Sequence, residues 1–302
     1  MTRPFAVPKA LATSVAGLLL LSAALSSPAS ARQRHHHTHR NLAGTPKMPA
    51  LRSSSALVVD ENTSTVLLSK QADAVIPIAS ITKLMTSLVV LEAKQSPNDM
   101  IQLTREDREI GRGGHSRLPT GATLSRGDLM HLALMSSENR AALTLGNRYP
   151  GGLPACVAAM NAKAKALGMT HTHFADPTGL SSLNTSSPGD LSKLVIAASE
   201  NPVIRNYSTD QRHTVQIGRH RLEFRNTDNL VANPNWNIVV QKTGYTVDAG
   251  RCLVMKAIIE DRPIVIVLLD SYGKYTRIAD AKRIRDWIHD RANERVEHAS
   301  TR

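Results

Sequence analysis

The sequence predicts a mixed α/β (α+β) chain in which one sheet draws strands from both ends of the polypeptide and helices fill the middle. Three observations predict it. Short apolar runs bounded by turn residues occur over 55–59 and 65–69. Helical spacing of apolar residues dominates 97–201, and apolar runs of strand length return between 214 and 269. No internal repeat interrupts this order.

The first two runs flank Asp60-Glu61-Asn62-Thr63 and read as a β-hairpin. From Ser80 to about Ala93, Leu84, Leu88 and Leu91 recur at helical spacing behind Pro77, which stops an earlier start. Ser125-Arg126-Gly127-Asp128 resembles a capping box ahead of a helix over 129–135, and the amphipathic helix over 153–167 is closed by Gly168. Gly111, Gly113 and Gly114 mark a mobile loop at a cleft rim. Strands follow over 214–217, 221–224 and 238–243. Two more, over 250–259 and 263–269, are joined by Glu260-Asp261-Arg262. A final amphipathic helix covers about 277–291. The sheet is thus assigned to 53–76 and 210–292 of one catalytic domain over 53–292, with 293–302 a disordered tail.

The chain starts like an export signal. Arg3 and Lys9 precede an apolar run over 11–25, and Ala29-Ser30-Ala31 forms a small-residue cleavage site. That run is shorter than the roughly 20 residues a membrane span needs. Cleavage after Ala31 therefore leaves a protein without an integral membrane segment, outside the cytoplasm. Residues 32–52, with His35, His36, His37 and His39, read as a disordered basic lead-in rather than a metal site. No metal or cofactor is implied. The formal charge is +12, which favours polyanionic surroundings. Export and the lack of a nucleic-acid-binding motif exclude nucleic acid in favour of an acidic wall polymer. Cys156 and Cys252 are read as two buried free thiols, since spacing does not bring them within reach.

The chemistry lies in three short motifs: Ser80-Ile81-Thr82-Lys83, Ser137-Glu138-Asn139 and Lys242-Thr243-Gly244. Taken singly, each is a capped helix start or a turn. Together they supply a nucleophile, a base, a proton relay and an anion-binding edge strand. Positions i and i+3 share a helix face, so Lys83 reaches the Ser80 hydroxyl. A lysine acts as a base only when burial or a second cation lowers its pKa, and Lys242 is that second cation. Ser137 relays a proton to the leaving amine, and Asn139 hydrogen-bonds a substrate amide. Lys242 and Thr243 hold a carboxylate, while Gly244 lets a peptide backbone lie close. Glu138 is expected to be structural.

The ordered trio is the signature of penicillin-binding proteins and class A β-lactamases. The stretches 77–86, 132–142 and 241–246 resemble the low-molecular-mass penicillin-binding proteins of the D-alanyl-D-alanine peptidase family. Asn161-Ala162-Lys163-Ala164-Lys165, Pro177-Thr178-Gly179-Leu180-Ser181 and Phe224-Arg225-Asn226-Thr227 resemble its endopeptidase branch. The likeness runs from about Ser55 to His289. It implies a DD-peptidase/β-lactamase-like fold, with a five-stranded antiparallel sheet flanked by helices beside an all-helical region. It also implies an oxyanion hole made by the amides of Ser80 and Tyr245. The chain ends without the extra β-domain and amphipathic anchor of the membrane-attached carboxypeptidases in the family.

The resemblance implies a periplasmic, penicillin-sensitive DD-endopeptidase that cuts peptidoglycan cross-links through an acyl-enzyme on Ser80. Its partners would be cross-linked stem peptides, with β-lactams as covalent inhibitors. A DD-carboxypeptidase is the alternative, followed by a β-lactamase and a non-catalytic wall-binding protein. The segment 176–184 lacks a counterpart of the glutamate that deacylates class A β-lactamases.

Overall fold

The computed structural model describes residues 47–108 and 116–300. The export signal, the His35–His39 cluster and the Gly111–Gly114 loop lie outside the described residues.

Five strands form the main antiparallel sheet: β1 (Ser53–Asp60), β2 (Thr65–Lys70), β9 (Asn237–Thr246), β10 (Gly250–Ile259) and β11 (Arg262–Ser271). Their order is β2-β1-β11-β10-β9, so the chain's two ends meet at the β1–β11 pair and β9 is an edge. Between them come two-residue strands β3 (Ile76–Pro77) and β6 (Thr185–Ser186), which pair with each other. Short strands β4 (Met100–Gln102) and β5 (Thr123–Ser125) also pair. The helices are α1 (Thr82–Glu92), α2 (Arg126–Met135), α3 (Asn139–Asn147), α4 (Gly152–Ala166), α5 (Pro188–Glu200), α6 (Pro202–Thr209) and α7 (Thr276–Ser300).

Both faces of the sheet are buried, which explains why β11 reads as an unbroken apolar run. Ile264, Ile266 and Leu268 face α7 with Leu253, Met255, Ile284 and Trp287. Val265, Val267 and Leu269 alternate to the opposite side and pack with α1 and α5. Burying each such aliphatic side chain is worth about 1.5–3 kcal/mol. Asp280 fixes α7 to the start of β1: it accepts from the amides of Arg52 (3.0 Å) and Ser53 (2.8 Å) and from the Ser53 hydroxyl (2.7 Å).

Local signals act as their chemistry requires. Ser125 caps α2 by accepting from the Asp128 amide at 2.9 Å. Gly168, at φ 68°, takes the left-handed turn after α4. Cys156 and Cys252 are both buried and free.

Three boundaries differ from the sequence expectation. First, the sheet does not include everything from 210 onward, because β7 (Arg212–Ile217) and β8 (His220–Arg225) form a separate two-stranded ribbon. Each has one apolar side only, with Val215 and Phe224 inward, so the ribbon covers the helices and cannot serve as a two-faced core strand. Second, the tail expected over 293–302 is helical as far as Ser300, since nothing from Ala292 to Ser300 is Gly or Pro. Third, the lead-in is ordered at its end: Leu51 packs on the α7-side core and its carbonyl accepts from Lys70 Nζ at 3.1 Å.

Candidate active site

Ser80 lies in a 3-10 turn (Ala79–Ile81) that runs directly into α1. This turn is clamped from both sides. A Cβ at Gly179 would fall 1.9 Å from the Ala79 carbonyl oxygen, and one at Gly244 would fall 3.2 Å from the Ser80 nitrogen. Only glycines let the loop and β9 approach that closely. Ala79 itself is left-handed at φ 48°, and Ser137 at φ 59°. Such conformations cost on the order of 1–3 kcal/mol and are held here by the packing around them.

Lys83 is fully buried in the first turn of α1. Its Nζ donates to Ser80 Oγ at 2.8 Å, Asn139 Oδ1 at 2.7 Å and the Thr178 carbonyl at 2.6 Å. The first motif therefore meets the second directly. Lys242 is equally buried, and its Nζ donates to Ser137 Oγ and to the Thr243 carbonyl, both at 2.8 Å. The second motif thus meets the third. Burial pushes the Lys242 ammonium well below its usual range, and the positive charges of Lys83 and Arg277 push it further. The charge of Lys83 thus acts on Lys242 across the site. Asn139, expected to bind a substrate amide, also holds Lys83.

Thr243 shares a 2.6 Å hydroxyl hydrogen bond with Thr227, whose amide donates to the Met135 carbonyl at 3.1 Å. That links the end of α2, just before Ser137, to the edge strand. Gln241 donates to Asn226 Oδ1 at 2.9 Å, which secures the same segment one step further back. Tyr245 is exposed, with the Arg251 guanidinium 4.3 Å from its ring centre.

Several participants carried no assigned role in the sequence. Thr178 and Gly179 belong to a loop wound around Asp176, whose carboxylate accepts from the amides of Thr178 (2.5 Å), Gly179 (2.7 Å) and Ser181 (2.8 Å). The β3–β6 pair anchors that loop beside Ser80. Asp228 is buried, and burial raises its carboxyl to about 6 against the opposing pull of Arg277 and Lys242. Burial also lowers the Arg277 guanidinium. Glu138, whose burial raises its carboxyl, is hydrogen-bonded by Ser116 and feels the charge of Lys83. Glu138 stood in the second motif with a structural role expected, and for Thr178 and Gly179 the sequence signal was the family resemblance at 177–181. Asp228 and Arg277 had none. Among the described residues there is no cluster of three or more His, Cys, Asp or Glu side chains that could hold a metal ion.

A serine at the head of a helix, an amine one turn away and a Lys-Thr-Gly edge strand across the cleft define a serine peptidase of the DD-peptidase fold. Known proteins agree. Residues 42–273 match the D-alanyl-D-alanine carboxypeptidase family. The chain is 49% identical to a D-alanyl-D-alanine endopeptidase of Pseudomonas aeruginosa, over 82% of this chain and 80% of that one. It is 46% identical to a D-alanyl-D-alanine endopeptidase of Escherichia coli over the same shares. A solved D-alanyl-D-alanine carboxypeptidase from Mycobacterium tuberculosis superposes with a TM-score of 0.74 at 27% identity, covering 82% of this chain and 95% of the other. The chain belongs to the D-alanyl-D-alanine carboxypeptidase family of serine peptidases.

Proposed function

We propose that the protein is a DD-endopeptidase that hydrolyses D-alanyl cross-links of peptidoglycan through an acyl-enzyme on Ser80. The observation that carries this reading is the 2.8 Å contact between Lys83 Nζ and Ser80 Oγ, made inside a site that also buries Lys242.

In the reactive state Lys83 is a neutral amine. It removes the Ser80 proton as Oγ attacks the D-alanyl carbonyl carbon, and the carbonyl electrons move onto oxygen. The amides of Ser80 and Tyr245 hold that oxyanion. Collapse of the tetrahedral intermediate breaks the C–N bond, and the proton on Lys83 reaches the departing amine through Ser137. Water then attacks the ester, gives a proton to Lys83 and releases Ser80 reprotonated. Lys242 and Thr243 hold the substrate carboxylate, with the charge of Arg277 acting on Lys242. Asn139 positions Lys83 and meets the substrate amide. β-Lactams acylate Ser80 because their carbonyl mimics the D-alanyl one.

The endopeptidase assignment is supported by the names of the 49% and 46% identical relatives, whereas relatives named carboxypeptidases are 27–28% identical. A β-lactamase reading is disfavoured because Asp176, the one carboxylate in the 176–184 loop, is occupied in bracing it. A periplasmic location follows from the sequence signal, and no described helix is long and apolar enough to cross a membrane. Purified protein is expected to convert dimeric muropeptides to monomers faster than it releases D-alanine from a monomeric pentapeptide. Rapid D-alanine release with intact dimers would assign a carboxypeptidase instead.

A further inference from the structure

Asn139, whose side chain accepts from Lys83, begins a face of α3 that continues at Leu143 and Asn147, because positions four apart share one side of a helix. Eight residues of helix span roughly 12 Å, so this face leads well away from the catalytic lysine. Thr178, whose carbonyl accepts from the same lysine, begins a second wall that continues through Leu180 and Ser181. The two walls enclose a cavity of about 340 Å³ that Glu106, Arg108 and Leu153 also line, a size within the range of small-ligand sites. No residue of β9 lines it, so it is separate from the Lys242–Thr243 carboxylate site.

The lining is aliphatic along its length and charged at one end. Leu143, Leu153 and Leu180 are all half-buried, and each presents part of its side chain to the cavity. Most of the polar lining is already engaged. Asp176 holds the amides of Thr178, Gly179 and Ser181, and Asn147 donates to Asp107 at 2.7 Å. Asp107 is buried and also accepts from the Thr104 amide at 2.7 Å, which fixes the 104–107 turn against the Asn147 end of α3. Its two neighbours, Glu106 and Arg108, are exposed, and among the described residues neither side chain has a hydrogen bond or an ion pair, with each other or with any other group. Leucines leading to one unengaged carboxylate and one unengaged guanidinium have a specific complement: an aliphatic chain that ends in an ammonium and a carboxylate on the same carbon. We propose that the cavity binds the zwitterionic end of a diamino dicarboxylic acid side chain in a stem peptide, with its methylenes over the leucines, its ammonium at Glu106 and its carboxylate at Arg108. The proposal rests on the peptidase reading for the stem peptide. In a cross-linked pair one such residue has lost its far amine to the cross-link, so only the acyl-donor stem brings both charges. A polyanion would meet Glu106 and Asp176 as like charges, and a purely apolar chain would strip water from Glu106 and Arg108 while giving neither a partner.

The test uses sugar-free stem-peptide dimers that differ only in the residue preceding D-alanine in the acyl-donor stem: diaminopimelate with both charges, lysine with the ammonium alone, and norleucine with neither. Binding is measured by calorimetric titration of the full chain carrying Ser80→Ala, which removes turnover. Each charge is expected to strengthen binding about fivefold, the upper range for an exposed ion pair. Adding Arg108→Gln should erase the preference for diaminopimelate over lysine and keep that for lysine over norleucine, and Arg108→Lys in its place should preserve both. Adding Glu106→Gln should erase the preference for lysine over norleucine. Each result is a ratio between two peptides on one variant, so a partly unfolded variant does not imitate it. Equal binding of the three dimers, or either preference surviving its own substitution, overturns the proposal. Cleavage of the dimers by wild type is followed separately: its absence would count against the peptidase reading, and the titrations would still decide the cavity.

Discussion

On the α7 side of the sheet, Leu253, Met255, Ile264, Ile266 and Leu268 pack against Ile284, Trp287 and Ile288, with Asp280 tied off at the margin. On the opposite side, the register partner of Val254 is Lys242, an amine without solvent contact, and the buried amine of Lys83 also lies on this side. The two faces are equally dry. One gains free energy from each methyl group it hides, whereas the other spends part of that gain on two buried lysine amines, a raised carboxyl on Asp228 and left-handed residues at Ala79 and Ser137. Stability and reactivity are thus separated across the thickness of a single sheet, and substitutions on the two faces should have opposite signatures.

The largest expected effect is on the reactive face. Lys83→Met fills similar volume without charge and should lower the acylation rate by about 10²–10⁴-fold, the range for loss of a general base. Its melting temperature should hold or rise, because a polar amine buried without solvent contact has been replaced by an apolar side chain. Stopped-flow acylation together with thermal unfolding checks both halves, and a wild-type rate would remove Lys83 from the mechanism.

Next come two identical substitutions at two left-handed glycines. Gly179→Ala places a methyl group against the Ala79 backbone and should cost about 3 kcal/mol or more, with loss of acylation. Gly218→Ala, in the β7–β8 turn with open space around it, should cost only about 1–2 kcal/mol and leave acylation intact. Equal costs by chemical denaturation would mean that the clamp on the nucleophile turn is not tight.

Ile266→Ala, on the α7 face, should reduce stability by about 2–5 kcal/mol while the folded fraction acylates at the normal rate. A matching fall in that rate would show that the faces are not independent.

The smallest effect is pH-linked. The Asp228 carboxyl is raised from 3.8 to about 6, so the folded state keeps a proton that the unfolded chain releases first. Stability from this group is complete below about pH 4 and declines as pH rises through 6, by at most about 3 kcal/mol. Asp228→Asn should flatten that part of the stability-against-pH curve. An unchanged slope would locate the linkage elsewhere.

The difference between the faces also explains what the sequence reveals. β1, β2, β10, β11 and α4 announce themselves because their apolar spacing records burial directly. The β7–β8 ribbon carries a similar alternation, and nothing local says whether such a strand joins the main sheet or covers a helix. Ser80, Lys83, Ser137, Asn139, Lys242, Thr243 and Gly244 are legible as three spaced motifs whose residue types already specify chemistry. Thr178 was not, because it acts through a backbone carbonyl that any residue possesses. Gly179 and Thr227 matter through close approaches to residues about 100 and 16 positions away, distances that periodicity does not encode. Nothing local marks Arg277, at the start of α7, as a cation that the fold buries within electrostatic reach of Lys242.

The central claim is that one serine carries the acyl group. It is tested most directly by incubating the full chain with a β-lactam, digesting it and locating the adduct by tandem mass spectrometry. The mass of the opened lactam should be found on Ser80 alone, and should vanish in Ser80→Ala. Label on Ser137, or undiminished label in Ser80→Ala, would contradict the assignment.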